Sequence, residues 1–170
     1  KDFDKRFEFS GRETITTGWQ KMDEITGGGG GRKELGVVVA PTGVGKSMVL
    51  VHLGATAVKA GMTVVHYTLE LRDTVIANRY DSCITGIPLD DLMDRKDEIR
   101  EMINNCDGKL IVKEYPTKTA TTNTIRAHIE KLKQQGIVPD MIIVDYADLL
   151  RTLSTRREKR EELESIYEEL

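Results

Sequence analysis

Ala40-Pro-Thr-Gly-Val-Gly-Lys-Ser47 stands between an apolar run, Leu35-Gly-Val-Val-Val39, and a second, mostly apolar run from Met48 to Ala60. The order reads as strand, glycine-rich turn, helix. Glycines let the backbone curl until successive N–H groups point at one anion, and the helix that begins there adds the positive end of its dipole. In a phosphate-binding loop of this kind Lys46 reaches the β- and γ-phosphates and the Ser47 hydroxyl holds Mg²⁺. Ala40, Pro41, Thr42, Gly43, Val44, Gly45, Lys46 and Ser47 are therefore the expected nucleotide-binding segment, and the chain is expected to bind a nucleoside triphosphate. Ala40 takes a place usually given to glycine. That requires the turn to start at negative φ, because a Cβ disfavours the left-handed region.

Composition sets the frame. The chain has 170 residues and a formal net charge of −3, enough for one domain with a real core. A weakly acidic balance favours solubility and leaves room for a local nucleic-acid surface. Cys83 and Cys106 show neither a Cys-x-x-Cys pattern nor a histidine at metal-ligand spacing, so they read as reduced thiols. His52, His66 and His128 are scattered, which favours packing or surface roles over a zinc site. No apolar run approaches the ~20 residues of a membrane span, and no signal segment opens the chain. A cytoplasmic protein without membrane contact is expected.

Beyond the loop the pattern alternates. Gly61 is placed to close the helix from Ser47 to Ala60. Met62–Leu69 is β-branched and apolar, a second strand, and Arg72–Thr85 is helical in pattern up to Gly86-Ile-Pro88. Leu89–Asn105 is expected as one surface helix. Lys109–Lys113 is a short strand. Thr121 or Thr122 can cap a helix running to Gln135, with Ile125, Ile129 and Leu132 on one face. Met141–Asp145 is a third core strand. Strands alternating with helices predict an α/β fold with a mostly parallel sheet covered on both faces. The glycine run Gly27–Gly31 lacks a following Lys-Ser and reads as a mobile hairpin rather than a second phosphate loop. Lys1–Phe9, charged and interspersed with Phe3, Phe7 and Phe9, reads as an arm that docks elsewhere.

Two strand-end carboxylates turn the loop toward chemistry. Asp145 closes the apolar strand Met141–Val144, at the rim where open α/β sheets bind ligands. There it can hold Mg²⁺, through water, beside Ser47. Glu70 closes the second strand in the same way, in Thr68-Leu-Glu-Leu71. It can orient or deprotonate an attacking water near the γ-phosphate, or simply cap the next helix. Arg79, on that helix, reads first as a solvated arginine, and its spacing from Glu70 also allows it to flank the nucleotide base or a neighbouring subunit. In the tail, Arg156, Arg157, Lys159 and Arg160 form a basic block after Arg151. Such blocks are usually solvated, but this one could pair with nucleic-acid phosphates without reading sequence. Glu161–Leu170 is amphipathic, with Leu163, Ile166, Tyr167 and Leu170 at helical spacing.

These residues match a family. Ile15-Thr-Thr-Gly-Trp, Met22-Asp, Ile25-Thr-Gly-Gly, the phosphate loop, Tyr67-Thr-Leu-Glu-Leu with Arg79 downstream, Leu110-Ile-Val-Lys-Glu-Tyr-Pro-Thr117 and Val138-Pro-Asp-Met-Ile-Ile-Val-Asp-Tyr146 follow one another over nearly the whole chain. Together they resemble the RecA-like motor domain of DnaB-type hexameric replicative DNA helicases, most of all those of T4-like phages. The loop itself is generic, whereas Lys-x-Tyr-Pro-Thr is the most telling segment for the phage branch.

The resemblance implies a RecA-like P-loop NTPase fold and an ATPase that moves on single-stranded DNA and unwinds duplex during replication. Its cofactors would be ATP and Mg²⁺. Its partners would be other copies in a homo-hexamer, single-stranded DNA, primase and further replisome proteins. It implies catalytic roles for Glu70 and Lys46, metal binding by Ser47 and Asp145, and a place beside the nucleotide for Arg79. Loops facing a central channel follow the metal-side strand in this family, which makes Arg156, Arg157, Lys159 and Arg160 DNA contacts by implication. Residues 1–14 would be the linker to the next subunit and residues 15–170 a partial motor, truncated at the C-terminal end, with the family's sensor and arginine finger beyond Leu170 and its N-terminal domain absent. Asp148 departs from the Gln common in bacterial members. Two alternatives stand beside this reading: a RecA- or KaiC-like ATPase that does not unwind, and a nucleotide-binding assembly module without turnover in this form.

Overall fold

A computed structural model describes residues 13–41, 43–150 and 166–168. In chain order its elements are β1 (Thr14–Ile15), α1 (Gln20–Thr26), β2 (Gly30–Gly31), α2 (Lys46–Lys59) and β3 (Thr63–Thr68). They continue as α3 (Asp73–Thr85), α4 (Lys96–Asn104), β4 (Lys109–Glu114), α5 (Thr122–Gln134) and β5 (Met141–Asp145). The main sheet is three-stranded in the order β4-β3-β5, and both of its pairings are parallel. The connection from β4 through α5 to β5 therefore passes over β3.

Central position makes β3 the most buried strand, with every residue from Val64 to Thr68 out of solvent. Side chains alternate across the pleat. Val64, with Ile143 of β5, packs on Ala57 and Val58 of α2. Val65 and Tyr67 point to the opposite face, onto Ile125 and Leu132 of α5, together with Ala147, Leu150 and Ile166. Each fully buried aliphatic side chain contributes about 1.5–3 kcal/mol. Two layers of helix on a parallel sheet is the α/β arrangement expected from the alternation of patterns.

Local signals set the helix ends. Thr121 caps α5: its hydroxyl accepts from the Thr124 N–H at 3.2 Å while the Thr124 hydroxyl accepts from the Thr121 N–H at 3.1 Å, a reciprocal capping box. Gly86 ends α3 at φ 76, donating its N–H to Ser82. Within α2, Gly54 is demanded by packing rather than by φ. A Cβ there would stand 2.1 Å from the Tyr80 hydroxyl of α3.

The hairpin expected at the glycine run is present, with Thr14 opposite Gly31 and Ile15 opposite Gly30. Gly29 belongs to it because a Cβ would come 2.0 Å from the Ile15 carbonyl. Helix α1, enclosed by the hairpin, was not legible in the sequence. Asp23 on α1 accepts from the Thr17 N–H at 2.8 Å, the Thr17 hydroxyl at 2.7 Å and the Thr16 hydroxyl. Those bonds hold its carboxyl below the usual carboxylate range. Trp19 stacks on His52 of α2 with centroids 4.1 Å apart, and His52 Nε2 donates to the Thr17 carbonyl at 3.1 Å. The hairpin unit is thus seated on the helix that carries the phosphate loop.

Two expectations are corrected. Leu35–Val39 forms no strand and pairs with no described strand; Leu35, Val37 and Val39 are 61, 53 and 88 % exposed. Lys33 takes a left-handed φ of 65 just before the run, and Gly36 inside it weakens any strand. Leu89–Asn105 is not one helix but a 3₁₀ turn, Leu89–Asp91, and then α4. Asp90, Asp91 and Asp94 favour turns over helix interiors, while Leu92 and Ile99 still meet in one cluster with Ile87. The arm Lys1–Phe9 lies outside the described residues.

Two predictions concern the core. Gly54→Ala forces the Tyr80 ring aside and should cost about 1–3 kcal/mol, read as a lower thermal midpoint that Tyr80→Phe partly restores. His66 is 0 % exposed, and burial lowers its pKa from 6.5 to about 4. The unfolded chain binds this proton below pH 6.5 and the folded one does not, so stability is full above that pH and falls as pH drops. Urea unfolding should show a loss of about 2 kcal/mol between pH 7 and 5, with a shallower slope in His66→Gln.

Candidate nucleotide-binding and catalytic site

The loop Ala40–Ser47 enters α2 directly. Gly43 and Gly45 adopt φ of 84 and 101, and Gly45 is the residue that caps the helix. A side chain would strain both positions, so this turn depends on glycine at each of them. Val44 is exposed at the tip, and Thr42 lies outside the described residues. Lys46 folds back across the loop: its ammonium donates to the Ala40 carbonyl at 3.0 Å and stands 5.5 Å from the centre of the Tyr146 ring. Ser47 is half-buried in the first turn of α2.

Register delivers the carboxylates. Thr68 of β3 lies opposite Asp145 of β5, and the Leu69 N–H donates to the Asp145 carbonyl at 2.8 Å. Glu70 therefore follows at the same C-terminal rim, exposed to solvent. The turn that carries it is fixed on three sides. The Thr68 hydroxyl donates to the Leu71 carbonyl at 2.8 Å, the Leu71 N–H returns a bond to that hydroxyl at 3.2 Å, and the Thr117 hydroxyl donates to the Leu69 carbonyl at 2.9 Å. Thr117 closes the Tyr115-Pro-Thr segment, so that motif acts here as a brace for the Glu70 turn.

Asp145 is 1 % exposed, and neither carboxylate oxygen has a hydrogen-bond partner among the described residues. A buried carboxylate left in that state is costly unless a cation or donors complete it. Among the described residues no three His, Cys, Asp or Glu side chains gather to hold a metal ion. Mg²⁺ keeps most of its water and takes one or two protein ligands plus phosphate oxygens, so it requires no such cluster. The Asp145 carboxylate and Ser47 hydroxyl are the residues suited to it.

Tyr146 sits where these parts meet. Desolvation first, then the charges of Glu70, Asp148 and Asp145, raise its phenol above the ordinary value, and Lys46 approaches its ring. One tyrosine is thus close to Lys46, Glu70 and Asp145. Sequence reasoning gave it no role; its place directly after a strand-end Asp was the available signal. Arg79 is half-buried on α3, and no hydrogen bond or ion pair among the described residues joins it to Lys46, Glu70 or Asp145. Asp148 accepts from the Tyr167 hydroxyl at 3.0 Å, which ties the helical residues 166–168 to the end of the sheet. Arg156, Arg157, Lys159 and Arg160 lie outside the described residues.

With the site assembled, its kinship is plain. Residues 14–170 match the family described as the DnaB-like helicase C-terminal domain. The chain belongs to that family. It is 33 % identical over 144 residues to a DnaB-like replicative helicase of Enterobacteria phage T4, covering 79 % of this chain and 30 % of the relative. It is 26 % identical over 161 residues to the replicative DNA helicase DnaB of Helicobacter pylori, covering 92 % of this chain and 33 % of the relative. The chain thus spans about a third of the length of these relatives. A solved DnaB-like replicative helicase, studied with its interactions with primase, superposes on 99 % of this chain and 42 % of its own, with TM-score 0.77 at 14 % identity. A solved ATPase domain superposes on 98 % of this chain and 61 % of its own, with TM-score 0.76 at 15 % identity. These likenesses fix the fold of this DnaB-like domain as RecA-like.

Proposed function

We propose that this chain is the ATPase motor region of a replicative DNA helicase, in which ATP hydrolysis drives translocation on single-stranded DNA and unwinding of duplex. The observation that carries the proposal is the convergence of the phosphate loop, Glu70 and Asp145 on one sheet rim, in a member of the DnaB-like family. Among the described residues no helix is long and apolar enough to cross a membrane.

Each residue has a definable task. The Lys46 ammonium, held by the Ala40 carbonyl, exchanges that weak acceptor for the β- and γ-phosphates, a stronger charge-assisted partner. The loop N–H groups and the N-terminus of α2 take up further phosphate charge. Glu70, held by the Thr68 and Thr117 bonds, orients the attacking water and accepts its proton. Ser47 and Asp145 would hold Mg²⁺, which when bound neutralises charge on the triphosphate. Arg79 flanks the nucleotide from α3. On the family resemblance, the ATP site of the whole protein lies between adjacent subunits of a hexamer and Arg156, Arg157, Lys159 and Arg160 contact single-stranded DNA; primase is a partner, as it is for the solved DnaB-like helicase.

The test is ATP binding and turnover by this chain, with and without single-stranded DNA. Tight binding with weak hydrolysis is expected, because neighbouring subunits would supply part of the site. Glu70→Gln should retain binding and lose at least ~100-fold of the residual turnover, whereas Lys46→Ala should lose binding itself. Turnover unchanged in Glu70→Gln would remove Glu70 from the chemistry. Binding without any turnover would make the isolated chain a nucleotide-binding module.

A further inference from the structure

Beneath the loop, the buried side-chain atoms without a partner among the described residues are three: His66 Nε2 and both oxygens of Asp145. They share one face of the sheet. Asp145 is opposite Thr68 and His66 is opposite Ile143, so His66 and Asp145 are diagonal neighbours on adjacent strands. No hydrogen bond joins them directly, and at that spacing one water can bridge the two side chains. Tyr80 of α3 reaches the same place. Its hydroxyl is 2.9 Å from His66 Nδ1, and the Asp145 charge contributes to raising its pKa, after burial and Cys83.

With Asp145 ionised and His66 neutral, one arrangement gives each of the three groups a complementary role. An ionised carboxylate only accepts, and a neutral imidazole donates from one nitrogen and accepts at the other. If Nδ1 donated to Tyr80, Nε2 would be a bare acceptor facing an acceptor. If the Tyr80 hydroxyl donates to Nδ1, the ring proton sits on Nε2, on the face of the sheet that also carries Asp145. Gly54 keeps the slot for that hydroxyl open, since a Cβ there would lie 2.1 Å away. We propose that Tyr80 and His66 are positioning residues for Asp145: Tyr80 fixes the imidazole tautomer, and His66 Nε2–H holds the carboxylate, through one water, in the orientation that receives the cation. The inference rests on the reading of Asp145 as the metal-side carboxylate.

Binding of a fluorescent ATP analogue by this chain, titrated with Mg²⁺ and repeated in EDTA, tests it without recourse to turnover. His66→Leu should raise the Mg²⁺ concentration for half-maximal binding about 10-fold or more, and Tyr80→Phe by a smaller factor. His66→Gln, which keeps an N–H donor at the far end, should stay within about threefold of the native value. Binding in EDTA should be the same for all. Tyr80→Phe preserves the shape of the core and carries the test should His66→Leu fail to fold. Native Mg²⁺ dependence in both His66→Leu and Tyr80→Phe, with a shift in Asp145→Asn, overturns the inference and leaves the role of Asp145 standing. Equal shifts in His66→Leu and His66→Gln also overturn it, since packing alone would then explain them. Native Mg²⁺ dependence in Asp145→Asn overturns the role of Asp145 and the inference together.

Discussion

The pairing of β3 with β5, Thr68 opposite Asp145, is the constraint from which the rim is built. A slip of one residue would turn every side chain of β5 to the other face, sending Asp145 toward the α5 side, where Tyr67 packs. Register is secured by Val64 and Ile143 against α2, and the last rung, from Leu69 N–H to the Asp145 carbonyl, sets where β3 ends and the Glu70 turn begins. Apolar packing in the middle of the sheet thereby decides the positions of charges at its edge.

Much of this was legible in the sequence, for physical reasons that differ by element. β5 was read residue for residue, because an apolar β-branched run ending in Asp has no competing pattern. The cap of α5 was readable because Thr121 and Thr124 satisfy each other locally. The tight turn into α2 was readable because Gly43 and Gly45 are each required by the backbone. Leu35–Val39 was misread for the opposite reason: apolarity states what a segment can bury, not whether an edge receives it. Helix α1 was missed because its seven residues are held by bonds from Asp23 to Thr16 and Thr17, and no hydrophobic period announces such a contact. The His66–Tyr80 pair was illegible because its meaning depends on which strand and helix adjoin, and Tyr146, though it directly follows a strand-end Asp, was given no role for the same reason.

The core of this domain is not apolar throughout. On the α2–α3 face, His66, Thr68 and Asp145 lie among Val51, Ala55, Ile76 and Tyr80. A stability-driven sequence would fill those places with aliphatic side chains. Polar groups in that position sacrifice stability, and one of them, Asp145, is itself a residue proposed for the cation. Gly54 belongs to the same arrangement, a weak helix residue kept so that a tyrosine hydroxyl can approach.

The seating of the hairpin unit on α2 has an optical consequence. Trp19, the chain's single tryptophan, lies face to face with the imidazole of His52, on the helix whose first turn carries Lys46 and Ser47. Indole emission is therefore a built-in gauge of the seam between hairpin and helix. Any rearrangement transmitted along α2 from the loop alters the stack, and the molecule reports it without a dye.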